Sequence, residues 1–133
     1  MATRGGLDLD LLPGCFALCR LAGDTATPAW TALVRRFLSL TRTPDELSIA
    51  CDAEVVPAGL AVHDDYRAFR VRGRLALDVV GVIAALAPPL AEAGIPILPI
   101  ATHDTDYLLV REPDLARAIA ALENAGHRVH LED

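Results

Sequence analysis

Residues 100–110, "IATHDTDYLLV", set one histidine, two aspartates and two threonines against an apolar run. Three chemistries suit such a set. His103 with Asp104 and Asp106, joined by His63, Asp64 and Asp65 of "HDDY", would offer nitrogen and oxygen ligands to a divalent cation. An Asp–His pair can move protons. Hydroxyls and carboxylates around a turn can cradle a small polar ligand through charge-assisted hydrogen bonds.

The first two chemistries find little company in the chain. Neighbouring strand residues point to opposite faces, so His103 and Asp104 converge only if the turn brings them together. No HxH, HExxH or cysteine–histidine set accompanies them. There is no GxSxG, no phosphate-binding glycine loop and no lysine for a Schiff base. No catalytic residue, metal or cofactor is therefore expected. Asp104 followed by a threonine is ordinary turn chemistry, whereas Asp106 opens an apolar strand, a costly place for an unpartnered charge. Cys15, Cys19 and Cys51 form no CxxC pair and read as small hydrophobes.

Composition narrows the class further. With 133 residues, the chain has the size of one ordinary domain or two small units sharing a core. A 53% hydrophobic content supplies that core. The net charge of −6 argues against nucleic acid or an anionic membrane as a partner. All 12 basic residues are arginine, and with the abundant alanine this points to a GC-rich bacterial genome. No apolar run reaches the roughly 18 residues of a membrane span. The opening "MATRGGLDLD" carries acids where an export signal needs apolar residues, so a cytoplasmic address is expected.

The elements that must position the polar turn are clearest in the second half. "YRAFRVR" (66–72) alternates as a strand. After Asp78, Val79, Val82, Ile83, Leu86 and Leu90 fall at helical spacing, and Gly94 suits the helix stop. Pro88 and Pro89 must kink or split that helix. A strand over 95–101, the "THDT" turn and a strand over 106–111 follow. Pro113 starts a second helix with Leu115, Ile119 and Leu122 on one face, Gly126 ends it, and 127–131 closes as a strand. The order β-α-β-β-α-β is the ferredoxin-like split arrangement, an α+β fold with both helices on one face of an antiparallel sheet.

The first half repeats part of this. Strands are expected over 15–21, 37–41 and 46–51, with a helix over 28–36 that Trp30 anchors to the core. Sliding the chain by 60 residues lays "LTRTPDELSIA" over "IATHDTDYLLV". Only "AEVVP" (53–57) stands where a second helix belongs, so residues 1–60 form a degenerate copy of the unit in 61–133, the two packed as one body.

These stretches carry a family resemblance. "TRTPDELSIAC" (41–51), "PLAEAGIPI" (89–97) and "THDTDYLLV" (102–110), in that order, make the chain resemble the ACT-domain proteins, and among them the tandem-ACT group that includes the cellular arginine sensors. The resemblance implies a regulatory module that binds an amino acid, arginine or another, as a homodimer, and that acts on a regulated enzyme. It places the ligand between residues 73–82 and 101–106, with Asp78, Gly81, Val82, Thr102, His103, Thr105 and Asp106 as contributors. Free N–H groups at the start of the helix after Asp78 would suit a ligand carboxylate. Asp78 or Asp106 would accept from its ammonium, Thr102 would add a hydroxyl, and Gly81 would permit close approach. Asp78 equally fits a helix N-cap. The competing class is an interaction module without a ligand, docking through the same sheets and helices.

Overall fold

Alternating apolar residues in short runs build most of this molecule, and the sheet faces they create hold its cores. The computed structural model describes residues 6–61, 63–73 and 80–131. In chain order the strands are β1 Asp8–Leu11, β2 Phe16–Leu21, β3 Leu38–Arg42, β4 Leu47–Asp52 and β5 His63–Val71; helix α1 is Val82–Glu92. Strands β6 Leu98–Ala101 and β7 Asp106–Arg111, helix α2 Leu115–Asn124 and strand β8 Arg128–Leu131 complete the order. The contacts divide the chain into two compact units: residues 1–13 with 67–133, and residues 14–66. The expected boundary at 60/61 differs from these because β1 pairs with β5 and β8 of the later segment.

The larger unit is the mixed β-α-β-β-α-β arrangement with one strand added. Its strands lie in the order β8-β1-β5-β7-β6. Leu9 and Leu11 on β1, Phe69 and Val71 on β5, and Leu108 and Val110 on β7 share one face. Val82, Leu86 and Leu90 of α1 and Ala118 and Leu122 of α2 bury against them. Burying each leucine, valine or phenylalanine among them contributes about 1.5–3 kcal/mol. The sheet departs from the expected antiparallel pattern at one seam. β1 pairs antiparallel with β5 but parallel with β8, since it occupies the place between them.

Both helices stop alike. Gly94 and Gly126 adopt positive φ, and the following amides reach back to Leu90 and Leu122 carbonyls. Pro88 and Pro89 lie inside α1, which continues past them to Glu92 and is not split. Leu86 and Leu90, both fully buried, hold the helix to the sheet on either side of the prolines. The helix starts at Val82 with Gly81 at its N-cap, three residues later than the spacing from Val79 suggests.

The smaller unit pairs β3 with β4 and β4 with β2, all antiparallel, and β2 also pairs the first residues of β5. Its core gathers Ala17, Cys19, Leu47, Ile49 and Cys51, with Trp30 and Val34 packed beside them. The helix expected over 28–36 is only a short 3-10 helix, Ala29–Leu33. The physical reason is Asp52. Its carboxylate accepts the N–H groups of Arg35, Arg36 and Phe37 at 3.0–3.2 Å, which bends the chain out of helical register. A second 3-10 turn, Ala53–Val55, stands where a second helix would lie.

Candidate functional site

The polar turn between β6 and β7 closes on itself. Thr102 N–H and its hydroxyl both donate to the Thr105 carbonyl, at 3.0 and 2.7 Å, and Thr105 N–H returns to the Thr102 hydroxyl. Threonine side chains bonded to nearby backbone in this way fix a turn without glycine. The Thr105 side chain, buried, donates to the Val71 carbonyl at 2.7 Å. That bond latches the turn to the end of β5, where the loop towards α1 begins.

The remaining predicted residues fall into three settings. His103 and Asp104 point outward and hydrogen-bond each other at 2.9 Å, with most of the imidazole in solvent. Asp106 opens β7 opposite Ala101 and is half-buried. Gly81, at φ 87°, forms the N-cap of α1 and its carbonyl accepts from Ala85 N–H. A left-handed backbone at that point is the reason for a glycine there. The Val82 side chain is a core group, so it can face a ligand only through its backbone. The N–H groups of the first turn of α1 precede its first intrahelical bond and are the natural seat for an anionic group. Asp78 lies outside the described residues; the N-cap of α1 is Gly81. Among the described residues no three histidine, cysteine or acidic side chains gather as metal ligands.

Two polar constructions escaped the sequence reading. The sheet face away from the helices carries Asp8 and Asp10 on β1 between Arg70 and Arg72 on one side and Arg128 and His130 on the other. Asp10, almost fully buried, accepts from Arg72 at 2.6 Å and from Arg70 at 3.0 Å. The Arg72 hydrogen bond, ahead of the opposing effect of burial, holds its carboxyl below the usual carboxylate range. Asp8 is likewise held below that range by hydrogen bonds from Arg128 and then His130. The signal was present as period-two polar residues in "LDLDLL", "FRVRG" and "HRVHL".

The second is His127, buried where β8 begins. Leu7 N–H donates to its Nδ1 at 3.0 Å, so the proton sits on Nε2, which donates to the Ala85 carbonyl at 3.1 Å. Ala85 is four residues before Pro89, whose missing N–H would otherwise have filled that carbonyl. A groove of about 550 Å³ lies beyond this point, lined by Pro88, Pro89, Glu92, Ala121 and Asn124 at the C-terminal ends of the two helices. It is at the opposite end of α1 from Gly81.

Comparison with known proteins fits this architecture. Residues 61–124 match the ACT domain, and residues 14–59 match a second family model, that of an N-terminal domain. A comparison with curated proteins gives no match. A solved structure of an Agobacterium tumefaciens protein is 38% identical, with 98% of this chain and 96% of that one covered at a TM-score of 0.89. A Vibrio cholerae protein, described as of unknown function and possibly in transport, is 24% identical over 91% of each chain at a TM-score of 0.72. The ligand-free regulatory subunit of aspartate kinase from Thermus thermophilus shares the fold at 16% identity, over 92% of this chain and 97% of that one, with a TM-score of 0.58. By its identity over almost the full length of both chains, this protein belongs to the family of the Agobacterium tumefaciens protein, and its residues 61–124 are of the ACT-domain type.

Proposed function

We propose that this protein is a regulatory module that binds a free amino acid between the end of β5, the start of α1 and the 102–105 turn, and that it passes the bound state to an enzyme. The observation that carries the reading is the Thr105–Val71 hydrogen bond, which seats the polar turn at the end of β5. Backbone N–H groups of the first turn of α1 take the ligand carboxylate. Asp106, half-buried at the head of β7, takes its ammonium as a charge-assisted hydrogen bond. Gly81 leaves room for the ligand backbone. Asp78 belongs to the same proposal as a second acceptor, and Thr102 and Thr105 shape the turn. His103 faces solvent and would contact a ligand only by rotating away from Asp104.

Regulation follows if the ligand favours one arrangement of the protein over another, because a ligand shifts an equilibrium only by its differential affinity. The module works as a homodimer with no catalysis of its own.

A thermal-shift screen against the twenty amino acids tests the reading. A ligand at about 100 times its Kd stabilises the fold by about 2.7 kcal/mol, a clear rise in Tm. The rise is expected for one or a few amino acids, is lost in Asp106→Ala, and is reduced in Thr105→Val, which frees the turn from Val71. No shift with any amino acid would instead favour a module acting through protein contacts alone, a reading that the exposed leucines of β3 support.

A further inference from the structure

Of the strands that end a sheet path among the described residues, β3, β6 and β8, two are blunted against further pairing. β6 contains Pro99, which has no N–H to give. β8 is four residues long and carries Arg128 and His130, both bonded to Asp8. Short, charged or proline-bearing edges are how proteins avoid unwanted strand addition. β3 has none of these protections. It has no proline, and its one charged side chain, Arg42, is drawn back to the Gly23 carbonyl at 2.7 Å.

The same strand is also uncovered on its apolar face. Leu38 and Leu40 stand opposite Cys51 and Ile49 of the core, yet they remain 40% and 39% exposed. Where a full first helix was expected, only the short 3-10 helix Ala29–Leu33 stands. Leu33 on the neighbouring 3-10 helix is 64% exposed.

We infer that β3 is a self-association edge, pairing antiparallel with β3 of a second copy about a two-fold axis through Leu40. Three observations fit one register. Thr43 N–H bonds the Glu46 carbonyl across the hairpin, so by the alternation of an antiparallel ladder Thr43, Thr41 and Ser39 are bonded to β4. The N–H and C=O groups of Leu38, Leu40 and Arg42 therefore point away from β4. Setting Leu40 opposite Leu40 of the second copy puts Leu38 opposite Arg42 and closes every one of those outward groups. It also brings the Leu40 side chains together on the axis. Finally, just beyond the strand ends, the register carries exposed Arg35 of one copy towards exposed Asp45 of the other, twice by symmetry. The two ends of the edge are thus complementary in charge. This assigns an edge to the homodimer of the proposed function and so rests on that reading for its purpose, but its geometry needs no ligand.

Sedimentation velocity from micromolar to millimolar protein tests it, without amino acid present, so that it fails independently of the thermal-shift screen. Wild type is expected to dimerise and Leu40→Lys to stay monomeric with an unchanged far-UV spectrum. Arg35→Glu and Asp45→Arg should each weaken the dimer about tenfold, and the two together in one chain should restore it. If Leu40→Lys fails to fold, the charge-reversal set decides alone. A wild type that is monomeric throughout overturns the inference. So does a dimer indifferent to all these substitutions, since it must form elsewhere.

Discussion

Asp10 shows how strongly one side chain depends on its neighbours. Two arginines hold it ionised in a nearly dry position on β1. Asp10→Asn removes the charge from hydrogen bonds worth about 1.5–3 kcal/mol and should lower stability by about that amount at neutral pH. The pH dependence has a definite sign. A carboxyl depressed in the folded state stabilises above its unfolded value and loses that contribution as pH falls through the folded one. Urea titrations should therefore show a constant gap between wild type and Asp10→Asn down to about pH 4, and a closing gap below it. A gap that widens on acidification would contradict the pairing. At this scale the sequence was only partly readable. The polar turn at 102–105 could be found from its residue types, because Thr and Asp bond to their own neighbourhood. The Asp10–Arg70–Arg72 set could not be found that way, since Asp10 and the two arginines at the end of β5 are about 60 residues apart and only strand pairing brings them together.

At the scale of elements, α1 explains a histidine. A proline inside a helix leaves the carbonyl four residues earlier without its N–H. For Pro89 that carbonyl is Ala85, and His127 Nε2 supplies the missing hydrogen. Restoring the helical N–H with Pro89→Ala should make His127 less necessary. His127→Leu is expected to cost about 1–3 kcal/mol in the wild-type background, through the unpaired groups it leaves, and about 1 kcal/mol less beside Pro89→Ala. Thermal melts of the four proteins in that cycle measure the coupling, and strict additivity would show that the two residues do not share the carbonyl. Strands β2 to β8 and α2 were legible because their periodicities are clean and the glycine stop of α2 is unambiguous. The helix over 28–36 was overread. Its spacing is adequate, but propensity lost to Asp52, a residue 15 or more positions away that gathers three backbone amides. β1 was missed because four residues with two acids look like a charged leader, not the centre of a sheet.

At the scale of the whole molecule, the repeat is visible as two hairpins, β3–β4 and β6–β7, whose registers superpose at an offset of 59, one residue from the 60 that the sequence suggests. What no repeat could show is that the strand at the front of the chain completes the later unit. Removing residues 1–13 should therefore damage that unit far more than a short leader would. The truncated chain loses β1 from between β5 and β8, along with core residues Leu9 and Leu11. Loss of the cooperative melt and binding of a hydrophobic dye are the expected readouts, and a truncated protein that melts like wild type would sink the argument.

The seam between β1 and β8 also sets an order of events during synthesis. Residues 14–66 contain every pairing among β2, β3 and β4, so that unit can form while the ribosome is still translating the rest. Asp8, by contrast, must wait for Arg128, 120 residues later. Until that partner emerges, the "LDLDLL" segment has no full set of neighbours, and its two carboxylates keep it solvated. The alternating acids that bind arginines in the finished sheet thus also protect the nascent chain while its last strand is unmade.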